Sequence, residues 1–311
     1  MTILLATDFD SAGLGLWLGL LQAELPDEHF VTDRNAVDAS TIDVAIVANP
    51  PPDALSGLVN LRLIQSLWAG VEKLLADPSV PQQVPLARMV DPAMSAAMAE
   101  TALWAVLSLH RGFYDYAAQQ RAQRWHPLAQ RRADEIAVAV LGLGQMGRAA
   151  ASRLVAQGYR VSGWSTRPTS LASIETHVGD DALGRLLART DILVNLLPLT
   201  SATCGLLSER TFNAMPQGAS LVNLARGAHV VDADLLAALD RGHMRHAVLD
   251  VFGTEPLPAD HRYWLHPGVT VLPHVAAQTD ARSAAAVAAV NVRRLRAGQF
   301  PQNQVDRARG Y

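Results

Sequence analysis

The sequence predicts an α/β protein built from two doubly wound parallel sheets. Three observations carry this. A strand, a glycine turn and a helix follow one another from Ala137 to Leu154. Short apolar strands alternate with helical stretches along the whole chain. A polar or turn residue closes nearly every strand, which is where an open parallel sheet places its ligands.

The alternation begins at the N-terminus. Thr2 to Ala6 reads as a strand, Val44 to Ala48 as a second that stops at Pro50-Pro51-Pro52, and Leu63 to Leu67 as a third that runs into the turn Trp68-Ala69-Gly70-Val71-Glu72. The leucine-rich run Leu14 to Leu21 is too short to span a bilayer, follows Asp8 and Asp10, and reads as one face of an amphipathic helix. An alanine-rich helix from about Met94 to Leu109 then leads to the glycine-rich region. A second one, Ala281 to Ala297, is expected to return to the first domain, which makes that domain discontinuous.

Composition bounds the function. The chain has 311 residues, 50% of them apolar, and a net charge of −3, as expected of a buried core large enough for two domains. Basic residues are dispersed and the isoelectric point lies near 6.4, so no nucleic-acid footprint and no membrane partner are expected. Cys204 is the only cysteine, which excludes an internal disulfide and a thiol metal site, and it is expected to be a small core filler. His243 and His246 sit beside Arg241 and Arg245, a poor setting for a cation, and no metal is expected. Arg121, Arg124, Arg131 and Arg132 read as a solvated face or a dimer arm. A cytoplasmic enzyme is the default reading.

Val138 to Gly147 reads VAVLGLGQMG. Gly142 permits a tight turn, Gly144 lets backbone approach a pyrophosphate, and Gly147 lets the helix pack against the strand. Gln145 and Met146 then open a helix whose N–H groups and dipole favour phosphate. The next strand, Tyr159 to Trp164, ends at Ser165, Thr166 and Arg167, where an NAD site would carry an acidic residue. With no carboxylate to repel a 2′-phosphate and a guanidinium to hold it, NADP is favoured, with NADPH preferred over NADH.

Downstream strands end at informative residues. Ile192 to Leu196 ends at Leu197-Pro198, Ser220 to Leu224 at Ala225-Arg226-Gly227, Ala247 to Asp250 in VFGTEP, and Val269 to Leu272 at Pro273-His274. Reduction of a 2-keto acid needs a cation for the carboxylate and a proton donor for the carbonyl oxygen. Arg226 offers the bidentate fork, His274 titrates in the useful range, and Glu255 can orient the imidazole and favour its protonated form.

These stretches carry a resemblance. NLARGAHVVDADLLAALDRG, LDVFGTEPLP and LPHVAAQT resemble the signatures of the D-isomer-specific 2-hydroxyacid dehydrogenases. VNLLPLT, WLHPGVTVLPHVAA and the terminal QVDRARGY are similar to the bacterial glyoxylate/hydroxypyruvate reductase A group. The resemblance implies a Rossmann cofactor domain over residues 98–280, inserted in a smaller flavodoxin-like substrate domain over 1–97 and 281–311. It implies NADPH-dependent reduction of small 2-keto acids, with catalysis by Arg226, Glu255 and His274. Substrate carboxylate would be gripped by the backbone of Trp68, Ala69 and Gly70, in a cleft between domains. Leu197, Pro198, Ala225 and Asp250 complete the expected cofactor contacts. A homodimer through the cofactor domain is also implied, with Trp264 near the partner's active site. One departure is Ala48, a position that is bulky and aromatic in the reductase group, so a roomier substrate pocket is expected. A phosphoglycerate- or lactate-type dehydrogenase on the same fold is the nearest alternative. A nucleotide-sensing regulator is a more distant one, since a sensor needs no proton donor.

Overall fold

Two parallel sheets organise the chain, which the computed structural model describes from residue 1 to residue 311. In chain order the elements are β1 (Thr2–Thr7), α1 (Ser11–Glu24), β2 (His29–Val31), β3 (Ile42–Ala48), β4 (Leu63–Ser66), α2 (Glu72–Ala76) and β5 (Leu86–Ala87). There follow α3 (Pro92–Arg111), α4 (Phe113–Arg121), β6 (Ala137–Leu141), α5 (Gln145–Ala156), β7 (Arg160–Trp164) and β8 (Glu175–His177). The last stretch holds α6 (Asp180–Leu187), β9 (Ile192–Asn195), α7 (Glu209–Ala214), β10 (Ala219–Asn223), α8 (Asp232–Asp240), β11 (Met244–Leu249), β12 (Val269–Val271) and α9 (Ala281–Arg296). The chain divides into one unit of Met1–Met94 with Thr279–Tyr311 and another of Ser95–Gln278.

The first unit has the strand order β2-β1-β3-β4-β5, every pair parallel. All of β3 is buried, as a central parallel strand covered on both faces must be. One face (Ile3, Leu5, Val44, Ile46, Leu63) packs on Trp17 and Leu21 of α1 and on Ala284, Ala285, Ala288, Ala289 and Val292 of α9. The small side chains let α9 lie close to the sheet. Arg296 anchors its end, its Nε donating to Glu28 Oε1 at 2.6 Å while the guanidinium also meets Asp43. The other face packs Leu4, Ala45, Val47 and Ile64 on Val71 and Leu74.

The second unit is a parallel sheet in the order β12-β11-β10-β9-β6-β7-β8. Its strand order reverses between β6 and β9, the switch point at which such sheets bind ligands. By length and apolar content α3 could cross a bilayer. That content is used in packing: Met98, Ala99, Ala102, Ala105, Val106 and Leu109 sit in one core cluster with Val138, Val140 and Leu154.

The strands β2, β5 and β8 escape the sequence reading. Each has three residues or fewer and lies at or near a sheet edge, too short for a periodic signal. Cys204 is also corrected: it is exposed rather than a core filler, in a turn where its N–H donates to Thr200 O at 2.9 Å.

Candidate active site

Strand register sets the geometry of the second unit. Leu141, Asn195, Asn223, Leu249 and Val271 are paired in one row across β6, β9, β10, β11 and β12. The segments after them therefore leave the sheet at one edge: the glycine turn, Leu197-Pro198, Ala225-Arg226, the loop to Glu255, and Pro273-His274.

At the glycine turn each glycine has its own reason. Gly142 has φ +92°, and a Cβ there would lie 2.5 Å from Leu196 O, so only glycine fits beside the β9 loop. A Cβ on Gly147 would lie 1.7 Å from Gly142 O, which makes this the contact that seats α5 on the turn. Gly144 differs: its φ is −71° and a Cβ would meet nothing within 4 Å. No packing within the chain requires glycine there, and the open space admits a pyrophosphate. No side chain caps α5 and no acidic residue stands in its first turn, so the N–H groups of Gln145, Met146 and Gly147 keep their anion-binding capacity. Ser165 is half-buried, whereas Thr166 and Arg167 are exposed after β7. These residues fit an NADP molecule.

Arg226 is half-buried and its Nη1 donates to Ala225 O at 2.7 Å. The next residue explains its position. A Cβ on Gly227 would lie 1.8 Å from Phe252 C, so the Arg226 turn rests directly on the backbone of the β11 loop. That loop carries Glu255, joined to Pro256 by a cis peptide bond. Glu255 Oε1 accepts from Phe252 N–H at 2.9 Å, and Oε2 accepts from His274 Nδ1 at 2.7 Å. With Nδ1–H committed to the carboxylate, Nε2 is the nitrogen left to exchange a proton, on a side chain 52% exposed. His274 has φ +55°, a left-handed backbone uncommon for a non-glycine residue.

Asp250 holds that turn. Its Oδ1 accepts from Val275 N–H at 2.7 Å and Oδ2 from Ala276 N–H at 3.0 Å. Burial pushes its carboxyl above the usual range, while the two N–H bonds act in the opposite sense. At 1% exposure with both oxygens engaged, the carboxylate holds the His274 turn. Leu197 and Ala225 are buried, and Pro198 is half-buried with its carbonyl accepting a 2.7 Å bond from Thr203 Oγ1.

Beneath these loops lies a polar network that the sequence reading missed. Asn195, Asn223 and His229 are each 0% exposed. Asn195 Nδ2 donates to Asn223 Oδ1 at 2.9 Å and to His229 Nδ1 at 3.0 Å. His229 Nε2–H donates to Pro198 O at 3.2 Å, and Asn223 Nδ2 donates to Arg226 O at 3.0 Å. The signal available was the repeated Val-Asn-Leu at 194–196 and 222–224, which puts the same amide at the end of two adjacent strands.

In the first unit, Ser66 Oγ accepts from Trp68 N–H at 3.0 Å, and Trp68 O accepts from Met89 N–H at 3.0 Å. Trp68 thus spends its N–H on the turn itself, whereas Ala69 and Gly70 N–H donate to no other group of the chain. Phe9 holds the Trp68 ring edge-on at 5.9 Å and stacks on Trp17. Ala48 is 0% exposed within this same apolar cluster. The expected roomier pocket is therefore corrected, because a methyl with no surface opens no space to a substrate.

The profile of the D-isomer specific 2-hydroxyacid dehydrogenase NAD binding domain matches residues 103–276. The chain belongs to this family. Glyoxylate/hydroxypyruvate reductase A of Serratia proteamaculans is 38% identical over 300 residues, covering 95% of this chain and 96% of that protein. A family member from Xanthobacter autotrophicus Py2, solved with NADPH and MES, superposes with a TM-score of 0.95 at 38% identity, covering 100% of this chain and 99% of that one. The NADPH-dependent glyoxylate/hydroxypyruvate reductase of Sinorhizobium meliloti, solved with NADP and sulfate, gives 0.92 at 31% identity with 100% and 99% coverage.

Proposed function

We propose that the chain reduces small 2-keto acids, glyoxylate and hydroxypyruvate among them, to 2-hydroxy acids with NADPH as reductant. The observation that carries this reading is the 2.7 Å bond from His274 Nδ1 to Glu255, at the sheet edge shared by Arg226 and the glycine turn. When bound, NADPH supplies the hydride to the carbonyl carbon. Glu255 orients the imidazole through Nδ1, and His274 Nε2 gives its proton to the carbonyl oxygen, so the product leaves as the alcohol and the ring returns to neutral. Arg226 presents a fixed guanidinium to the carboxylate and the carbonyl oxygen. Ala69 and Gly70 N–H grip the carboxylate. Arg167, with Ser165 and Thr166, takes the 2′-phosphate. The reductase activity and the NADPH and NADP held by the relatives support the same assignment.

The test is NADPH oxidation by the purified protein with glyoxylate, hydroxypyruvate and larger 2-keto acids. Turnover of at least one of the small acids is expected, and inertness towards all of them sinks the reading.

We also infer a cytoplasmic homodimer formed through the second unit. Trp125 is 96% exposed there, with Phe113, Trp104, Trp264 and Leu265 also at the surface, and exposed large apolar side chains are what a partner would cover. Light scattering should give twice the chain mass, with Trp125→Asp shifting it to the monomer.

A further inference from the structure

Arg88 is a cation without a counterpart. It follows β5, is half-buried, and burial alone holds its guanidinium below the ordinary arginine range. No carboxylate, carbonyl or hydroxyl of the chain accepts a hydrogen bond from its side chain. A desolvated charge left unpaired is costly, and arginine is the side chain least able to escape by losing its proton.

Its place in the sheet says what it serves. Gln65 pairs with Ala87, the last register pair of β4 and β5, and Arg88 follows directly as Ser66 follows Gln65. Side chains alternate along β5, with Leu86 on the face of Ile64, Val71 and Leu74, and Ala87 on the opposite one. Arg88 therefore returns to the face of Ser66, whose hydroxyl holds the Trp68 turn. The neighbouring residue, Met89, donates its N–H to Trp68 O at 3.0 Å, which locks Arg88 beside that turn. Ala69 and Gly70, with their uncommitted N–H groups, are the next residues of the same turn.

We propose that Arg88, together with Ala69 and Gly70 N–H, is a carboxylate receptor in the first unit that binds the C1 carboxylate of the 2-keto acid. The assignment rests on the keto-acid reading above. A bidentate guanidinium with two backbone N–H donors matches the four lone-pair directions of a carboxylate.

The experiment compares the parent with Arg88→Gln and Arg88→Lys in three measurements. These are KM and kcat for glyoxylate and hydroxypyruvate at saturating NADPH, calorimetric binding of oxalate and of sulfate to the protein without substrate, and Tm. Arg88→Gln should raise KM and the oxalate Kd about 10- to 100-fold, the range for losing a charge-assisted bond, with kcat within about threefold. Arg88→Lys should fall between, since it keeps the charge and loses the fork. Tm of Arg88→Gln should hold or rise, because an unpaired buried charge has been removed. KM and oxalate Kd within twofold of the parent overturn the proposal, and so does a drop in Tm with kcat falling and oxalate binding unchanged. If the parent reduces no keto acid, the functional reading fails, while oxalate and sulfate binding to parent and variant still decide whether Arg88 is an anion receptor.

Discussion

Asn195 and Asn223 are register partners on β9 and β10, and the 2.9 Å bond between their buried amides ties two functional loops together. Asn195 Oδ1 accepts from Leu197 N–H at 3.3 Å, and Asn223 Oδ1 accepts from Ala225 N–H at the same distance. Each amide therefore caps the loop that follows its own strand. His229 closes the network onto Pro198 O, so the turn that carries Arg226 and the Leu197-Pro198 turn share one buried scaffold. Every polar atom of the two amides has a partner, the condition under which a buried polar network adds rigidity.

His229→Phe should expose the value of that scaffold. The substitution leaves one of the two Asn195 Nδ2–H groups without its acceptor and Pro198 O with Thr203 Oγ1 as its remaining donor, at about 1–3 kcal/mol for the buried unpaired N–H. Lower Tm and a fall in kcat/KM of at least about tenfold are expected, with His229→Gln recovering part of both. Parent-like kinetics in the Phe variant would leave the network no part in positioning the loops.

His274→Asn should lower kcat by about 10²–10⁴-fold, the range of general acid catalysis, while NADPH still binds. Glu255→Gln replaces the carboxylate that accepts from His274 Nδ1, so kcat should fall while KM for NADPH holds. Activity of His274→Asn within a few-fold of the parent refutes the proton-donor role.

Arg167→Ala should raise KM for NADPH by about one to two orders of magnitude, equivalent to roughly 1.5–3 kcal/mol for a charge-assisted bond. KM for NADH should change little. Equal weakening of both cofactors would place the 2′-phosphate elsewhere.

Ala48→Trp tests the corrected reading of the first unit. Because Ala48 has no exposed surface, an indole there should overpack the Phe9, Trp17 and Trp68 cluster and destabilise by about 1–3 kcal/mol. Thermal unfolding is the readout. A variant that keeps the parent Tm and shifts the kcat/KM ratio towards glyoxylate would show the side chain reaching a substrate pocket after all.

His246 makes stability depend on pH. It is buried, stacks on Tyr114 at 4.3 Å, and bonds Thr270 Oγ1 at 2.9 Å; burial brings its pKa down to about 4, against 6.5 unperturbed. Its folded pKa lies below the unfolded one, so the unfolded chain takes up a proton first as pH falls from about 6.5 towards 4. Stability held above pH 6.5 is lost across that window, up to about 3 kcal/mol. The stability gap between parent and His246→Gln should narrow by about 2 kcal/mol between pH 7 and pH 4.5 in urea titrations. A gap that stays constant with pH refutes the linkage.

The sequence by itself determined the α/β class, the main strands and the family. Glycine spacing, apolar runs and strand-end residues are local signals, and each had a physical reason readable without a fold: backbone freedom at Gly142, close packing at Gly147, a titratable ring at His274. Tertiary structure decided everything that depends on which atoms face each other. Only sheet register reveals that Asn195 and Asn223 share a bond, and only the contact of Gly227 with Phe252 explains how the Arg226 turn meets the loop of Glu255. Burial made Asp250 a support for the His274 turn and placed Ala48 in the core. The reason is common to these cases: desolvation and hydrogen-bond satisfaction are set by neighbours distant in the chain, and no local pattern encodes them.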